Sequence, residues 1–239
     1  MNILAVDTAT KTCSVAVVNE KTLISEYTVN HKDTHSKFVM GLIHEILGIS
    51  HLAVKDLDGF AVTIGPGSFT GLRIGLSTVK GLALATGKPV VGVSSLAALA
   101  FPICIPTSAP INGKNALICP MLDARRNEVY TGTYRFNSMT LINEQSPRAV
   151  RPDEAINDID EPCIFVGDGA ITYAELIKNK LGPLAVFANF PGLVIRASVV
   201  GHIAMERFKN KDTDDPGLLK PVYLRKSDAE KNLKSSIDA

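Results

Sequence analysis

The order of its apolar runs constrains this chain most. Three strand-length runs, at 2–6, 12–18 and 23–29, are separated only by Thr8-Ala-Thr-Lys11 and Asn19-Glu-Lys21. Short polar connections of this kind predict an antiparallel meander. A helix is predicted over 36–47, where Phe38, Val39, Met40, Leu42, Ile43, Ile46 and Leu47 form a wide apolar stripe. A strand over 59–64, a helix over 70–86, a strand over 90–93 and a short helix over 95–101 complete a βββαβαβα unit. After the stretch PICIPTSAPINGKN the pattern partly repeats, with strands over 116–122, 128–136, 139–149 and 163–166. Helices follow near Arg151-Pro-Asp-Glu154, where proline and acidic residues suit a first turn, and over 170–180 and 197–208.

Two related units that each join a meander to strand–helix alternation imply an ancient duplication. The arrangement is similar to the actin-like superfamily of sugar kinases, chaperone ATPases and actin. The predicted class is therefore α/β: a two-domain fold with a duplicated mixed sheet and flanking helices. The proline-rich stretch sets the boundary. Residues 1–102 form an N-terminal subdomain, and 103–239 a smaller or degenerate C-terminal one ending in a polar, partly ordered tail. Fold alone says nothing of function.

Composition narrows the class. The 239 residues are 46% apolar and 21% charged, with a formal charge of +1, as in an ordinary globular protein. Such a balance opposes a strong independent grip on nucleic acid, which needs clustered positive charge. The basic residues Lys220, Arg225, Lys226, Lys231 and Lys234 near the end read first as a solvated tail. Cys13, Cys104, Cys119 and Cys163 form no CxxC pair, so reduced cysteines in a cytoplasmic protein fit better than zinc or disulfides. Asp7 interrupts the first apolar run too early for a signal peptide. The uncharged run over 89–106 contains Gly92, Ser94, Ser95 and Pro102, which opposes a membrane span.

The stretch TIGPGSFTGLRIG, 63–75, joins a strand to a helix through a glycine-rich turn. It lacks the lysine of a Walker loop, is one residue too long for a dinucleotide fingerprint, and has Pro66 and Thr70 where a nucleophile elbow around Ser68 needs glycines. A helix cap from Ser68 or Thr70 remains. Along the helix, Gly71, Gly75 and Thr78 form a low face, with Leu72, Leu76, Val79 and Ala83 beside it and Ile74, Leu82 and Leu84 further round. Interior glycines cost up to about 1 kcal/mol each, so they imply close packing. A helix apolar this far round is covered on more than one side, by this chain or by a partner. The expected partner interface is carried by Phe38, Leu42 and Ile46 on the first helix and Gly71, Leu72, Gly75, Thr78, Val79 and Leu82 on the second. Asp7, Thr8 and Thr10 are candidates for a nucleotide loop, Asp7 reaching a metal ion; the other reading is a turn that ends strand one. His31 and His35 stand at a metal-ligating spacing, but Asp33 and Thr34 favour a helix start. Asp123 and Glu128 bracket ARRN, read as a salt-bridged hairpin before a site.

Five segments in order, ILAVDTAT, GPGSFTGLRIG, MLDARRNEVY, VGDGA and PVYLR, resemble the TsaB (YeaZ) family over nearly the whole chain. That resemblance implies the bacterial machinery that makes threonylcarbamoyladenosine beside the tRNA anticodon. In it the related protein TsaD transfers the threonylcarbamoyl group from an adenylate to the adenosine N6 amine. TsaD has a metal-binding HxxxH stretch; here Ser95 and Leu99 occupy its histidine positions, and leucine ligates no metal. The resemblance thus implies a non-catalytic pseudo-enzyme that binds TsaD through helices of its N-terminal domain. It further implies that TsaE joins, that ADP or ATP with magnesium binds at the subunit junction, and that tRNA is met through the complex. A homodimer by the same helices is the counterpart in isolation. The alternative is an actin-like kinase or ATPase with Asp7 near a metal-bound phosphate. A glycoprotease is disfavoured, for want of a metal pair or an activated serine or cysteine.

Overall fold

The computed structural model describes residues 1–30, 35–104, 116–137, 140–188 and 193–225. The first meander is β1 (Asn2–Asp7), β2 (Thr12–Asn19) and β3 (Leu23–Asn30). Helix α1 (Val39–Ile49) leads to β4 (Gly59–Gly65), then α2 (Phe69–Thr86), β5 (Val90–Ser94) and α3 (Ser95–Ala100). The sheet order is β3-β2-β1-β4-β5, with β4 parallel to both β1 and β5. Strands β1, β2 and β4 are almost wholly buried, which explains their near-continuous apolar sequence.

The two faces divide by the period of two along each strand. Leu4, Val6, Val15, Val17, Phe60 and Val62 pack against α1 and α2. Ile3, Ala5, Ala16, Val18 and Ala61 pack against α7 (Ala197–Lys209). The residues on this second face are mostly small because α7 lies close. A Cβ added at Gly201 would stand 2.6 Å from Val18 Cγ2 and 3.2 Å from Ala5 Cβ.

The second sheet repeats the first. It comprises β6 (Leu117–Asp123), β7 (Val129–Asn137), β8 (Thr140–Val150), β9 (Cys163–Val166) and β10 (Ala185–Phe187). Its order, β10-β9-β6-β7-β8, is the first order reversed in writing: a meander, then a strand parallel to the meander's first member, then a fifth strand parallel to that one. Short helices α4 (Pro152–Ala155), α5 (Asp168–Thr172) and α6 (Ala174–Leu181) serve it. Helix α3 joins the two lobes, since Leu96, Leu99 and Ala100 share one core with Ile118, Leu122 and Val166 of the second sheet.

One expectation is corrected. The helix expected over 170–180 is two helices that part at Tyr173, and β10 has no counterpart in the sequence reading. The range 103–239 holds the second sheet and also a helix that packs on the first. Helix α7 returns to pack on β1, β2, β4 and β5, completing the core of the first lobe. Part of the tail expected to be partly ordered is placed, through Arg225. Asp214 makes a β-bridge with Val90, and the Val222 amide donates to the Ile64 carbonyl at 2.7 Å. Residues 226–239, and most of the proline-rich stretch, lie outside the described residues. Among the described residues no helix is long and apolar enough to cross a membrane.

Candidate functional site

The glycine-rich turn and the β1–β2 turn form one structure. Helix α2 begins after Ser68, whose Oγ accepts the Gly71 amide at 3.2 Å. This is the N-cap that the sequence suggests. The start of α2 then lies directly on residues 8–10. A Cβ added at Gly67 would stand 2.3 Å from the Ala9 carbonyl oxygen, one at Gly71 2.1 Å from the Thr8 carbonyl oxygen, and one at Gly75 2.3 Å from Thr8 Oγ1. Only glycine permits this approach. Hydrogen bonds then fix it: the Ser68 amide donates to the Ala9 carbonyl at 2.7 Å, and Thr8 Oγ1 donates to the Gly71 carbonyl at 2.7 Å. His35 Nε2 donates to the Thr10 carbonyl at 2.8 Å, so His35 is a turn clamp; His31 lies outside the described residues.

Asp7 sits beneath this lid. Its Oδ1 accepts the Ala9 amide at 3.1 Å and the Thr63 hydroxyl at 2.7 Å, while Oδ2 is buried without a hydrogen-bond partner. Burial pushes the carboxyl up to about 7, against the opposing pull of the two hydrogen bonds. The Cys13 thiol is raised to about 11, by burial first and by the Asp7 charge second. Asp7 and Thr8 have no exposed surface at all, and Thr10 is half-buried with its hydroxyl 2.9 Å from that of Thr12. Asp7 and Thr8, expected at a nucleotide loop, thus lie under the start of α2, with Thr10 at its edge.

The outer side of α1 and α2 is different. A groove of about 410 Å³ runs between them, lined by Val39, Met40, Thr70, Arg73, Ile74 and Thr78 among others. Of the residues expected at a partner surface, Phe38, Leu42, Thr78 and Leu82 are half-buried and border solvent. Ile46, Leu72 and Val79 are fully buried in the cores on either side of the first sheet, and Gly71 and Gly75 are buried against the β1–β2 turn. The apolar or small character of these five serves packing within the chain. The reading missed Met40, Ile49 and Leu84, which are 51%, 57% and 65% exposed. Counting helical phase outward from the buried stripe finds all three.

Ser95 and Leu99 lie on α3 and are buried, Leu99 beside Gly167. Among the described residues no three His, Cys, Asp or Glu side chains converge as a metal site. The turn at 124–128 carries three consecutive residues in the left-handed region, Arg125, Arg126 and Asn127, with φ of 59°, 54° and 58°. Asp123 Oδ1 accepts the Arg125 amide at 2.8 Å. Glu128 pairs across the molecule with Arg225, at 2.9 Å.

The chain was compared with known proteins. The family model described as "TsaD: tRNA N6-adenosine threonylcarbamoyltransferase" matches residues 22–233. The tRNA threonylcarbamoyladenosine biosynthesis protein TsaB of Bacillus subtilis is 33% identical over 235 residues, with 96% of each chain covered. The protein of the same name from Escherichia coli is 30% identical, with 98% of each covered. Among solved structures, YeaZ from Pseudomonas aeruginosa superposes with a TM-score of 0.80 at 26% identity, covering 93% of this chain and 99% of that one. The activator of 2-hydroxyisocaproyl-CoA dehydratase from Clostridium difficile, at 10% identity and a TM-score of 0.51, shares the two-domain fold alone. With its duplicated actin-like architecture and these full-length likenesses, the chain belongs to the TsaB (YeaZ) family of tRNA threonylcarbamoyladenosine biosynthesis proteins.

Proposed function

We propose that this chain is a non-catalytic subunit in threonylcarbamoyladenosine modification of tRNA, and that it binds and supports a TsaD transferase. The reading is carried by one observation. The turn that would serve chemistry in a fold of this type, residues 7–10, is sealed by the chain's own helix, while a groove between α1 and α2 stays open. A kinase or ATPase would need Asp7 in reach of a metal-bound phosphate, and Asp7 has no exposed surface. The apolar Leu99 and buried Ser95, at the positions of TsaD's metal-binding histidines, support the same conclusion.

In this proposal TsaD packs its helices on the α1–α2 face, with Met40 and Ile74 as apolar anchors and Thr70 and Thr78 between them. TsaE joins that complex. ADP or ATP with magnesium fits a junction made with TsaD better than it fits the sealed turn. The tRNA is met through the assembly, since a formal charge of +1 supplies little grip. The protein works in the cytoplasm, where its substrate is. In isolation the same apolar face supports a homodimer that TsaD displaces.

The test is reconstitution. TsaD, TsaE and the enzyme that makes the adenylate are mixed with unmodified tRNA, with and without this chain, and threonylcarbamoyladenosine is measured. Product is expected only in its presence, and equal yield without it overturns the proposal. Met40→Glu and Ile74→Glu are the interface variants of choice, expected to weaken TsaD binding at least about tenfold by placing an unpaired charge in the contact. Gly75→Leu is a poor choice, because the new side chain would collide with Thr8 inside the chain itself. Mass measurement of the free and mixed chains separates homodimer from heterodimer.

A further inference from the structure

We infer that residues 213–225 form an internal latch, a strap that runs from the start of β5 to the carboxyl end of β4 and locks the second lobe to the first through Arg225. The strap is held along its whole length. Asp214 accepts the Gly92 amide at 2.7 Å on one carboxylate oxygen and is paired with Arg207, which also grips Asp212. Lys80 Nζ donates to the carbonyls of Gly217 and Leu219, at 3.3 and 3.1 Å. Leu219 packs into the core under α2. Val222 then crosses the end of β4. Its amide donates to the Ile64 carbonyl, and its carbonyl oxygen lies 2.6 Å from where a Cβ on Gly65 would stand. Gly65 has φ +121°, a conformation side chains rarely adopt, so glycine is needed there twice over.

Two contacts beyond β4 give the strap its function. Tyr223 stacks on Phe69, with ring centroids 4.0 Å apart, and its hydroxyl oxygen accepts Arg73 Nε at 3.0 Å. Arg73 is at the same time 4.2 Å above the Phe69 ring. This fastens the strap to the first turn of α2. Two residues on, Arg225 reaches the second lobe, donating to the Ala124 carbonyl at 3.1 Å and pairing with Glu128 at 2.9 Å. The Arg225 side chain is 13% exposed and that of Glu128 35%, so the pair is partly shielded from solvent. One short peptide thus spans the ends of β4 and β6, the strand ends at which ligands sit in open α/β sheets. The strap fills that ground with protein and ties the two lobes across it.

The test uses the full chain. Paired distance probes are attached through an unnatural amino acid at Lys55 of the first lobe and Glu175 of the second, both exposed, leaving the native cysteines untouched. Amide exchange is followed on the same samples. With the latch intact a single narrow distance is expected. Arg225→Ala and, from the other side, Glu128→Gln should each add a second, longer distance and speed exchange at 124–128 and at Val222 at least about tenfold. Protection in β1 and β2 should stay as it was, which separates unlatching from unfolding. An unchanged distance distribution in both variants overturns the inference. So does faster exchange confined to the strap, because the strap would then be a passive cover.

Discussion

The two lobes begin with the same device and finish it differently. In each, a meander's first strand ends in an aspartate, Asp7 or Asp123, followed by a tight turn. In each, a glycine at positive φ stands at or just past the end of the strand parallel to it, Gly65 or Gly167, and a helix follows and leans on the turn. In the first lobe that helix has 18 residues, and its glycines press onto Thr8 and Ala9 until Asp7 is sealed. In the second the helix has 5 residues. The Asp123 amide donates to Asp168 Oδ1 at 3.0 Å, Asp123 itself remains exposed, and the turn is steadied from outside by Arg225. The same topology therefore gives a buried, self-sufficient turn in one place and an exposed, strained turn in the other. What decides between them is how closely the following helix can approach.

The largest expected effect comes from Asp7. Its carboxyl titrates near 3.8 in an unfolded chain and is raised to about 7 in the fold. Between those values the folded chain holds a proton that the unfolded chain has released. Stability therefore falls as pH rises from about 4 to about 7 and levels off above. At about 1.4 kcal/mol for each unit of displacement, the full loss reaches about 4 kcal/mol. Asp7→Asn keeps an oxygen for the Ala9 and Thr63 donors and cannot ionise. Denaturant melts at pH 5 and pH 8 should show wild type losing stability relative to Asp7→Asn. Parallel behaviour of the two would mean that the lid over Asp7 admits water.

A smaller effect tests the lid itself. Gly71→Ala places a methyl group 2.1 Å from a backbone oxygen that can yield only if α2 moves. Overpacking of this kind, less the helix-forming gain of alanine, should cost about 2–3 kcal/mol. Gly169→Ala, at the corresponding approach in the second lobe, finds its nearest atom at 3.0 Å and should cost about 1 kcal/mol or less. Equal costs by chemical denaturation would erase the proposed difference between the turns.

Much of this was legible beforehand. The meander, the strand–helix alternation and the repeat follow from the spacing of apolar runs and short polar turns, which act locally. Ser68 as cap was legible for the same reason. What stayed hidden depends on distance in three dimensions. Gly71 and Gly75 were read as a surface for another protein because a glycine face says only that something lies close; that it is Thr8 is decided by the β1–β4 pairing. The sequence alone leaves Asp7 between a ligand and a turn residue, because its sealing needs residues more than fifty positions away. The return of α7 and the strap to the first lobe left no periodic signal before them. Met40 and Leu84 are within reach, since Met40 flanks the buried stripe of α1 and Leu84 lies about 100° round the helix from the buried Ala83.

The smallest effect concerns strain. Arg125, Arg126 and Asn127 each hold a left-handed conformation that costs an L-residue about 1 kcal/mol. Nothing in the first lobe's turn does so, because there the helix backbone supplies the hydrogen bonds that shape it. Replacing Arg126 by glycine relieves the strain but frees the unfolded chain, so against wild type the two terms nearly cancel. Against Arg126→Ala they do not cancel in the same way. Both variants lose the same side-chain contacts, and only the alanine stays strained. Arg126→Gly should therefore exceed Arg126→Ala in stability by about 0.5–1 kcal/mol. The same pair of changes made together with Arg225→Ala sharpens the point. If the latch is what holds the turn in this conformation, removing it lets the turn relax, and the advantage of glycine over alanine should shrink toward zero. An advantage that persists unchanged would place the strain in the hairpin's own hydrogen bonds, between Asp123 and the Arg125 amide and between the Ala124 amide and the Glu128 carbonyl.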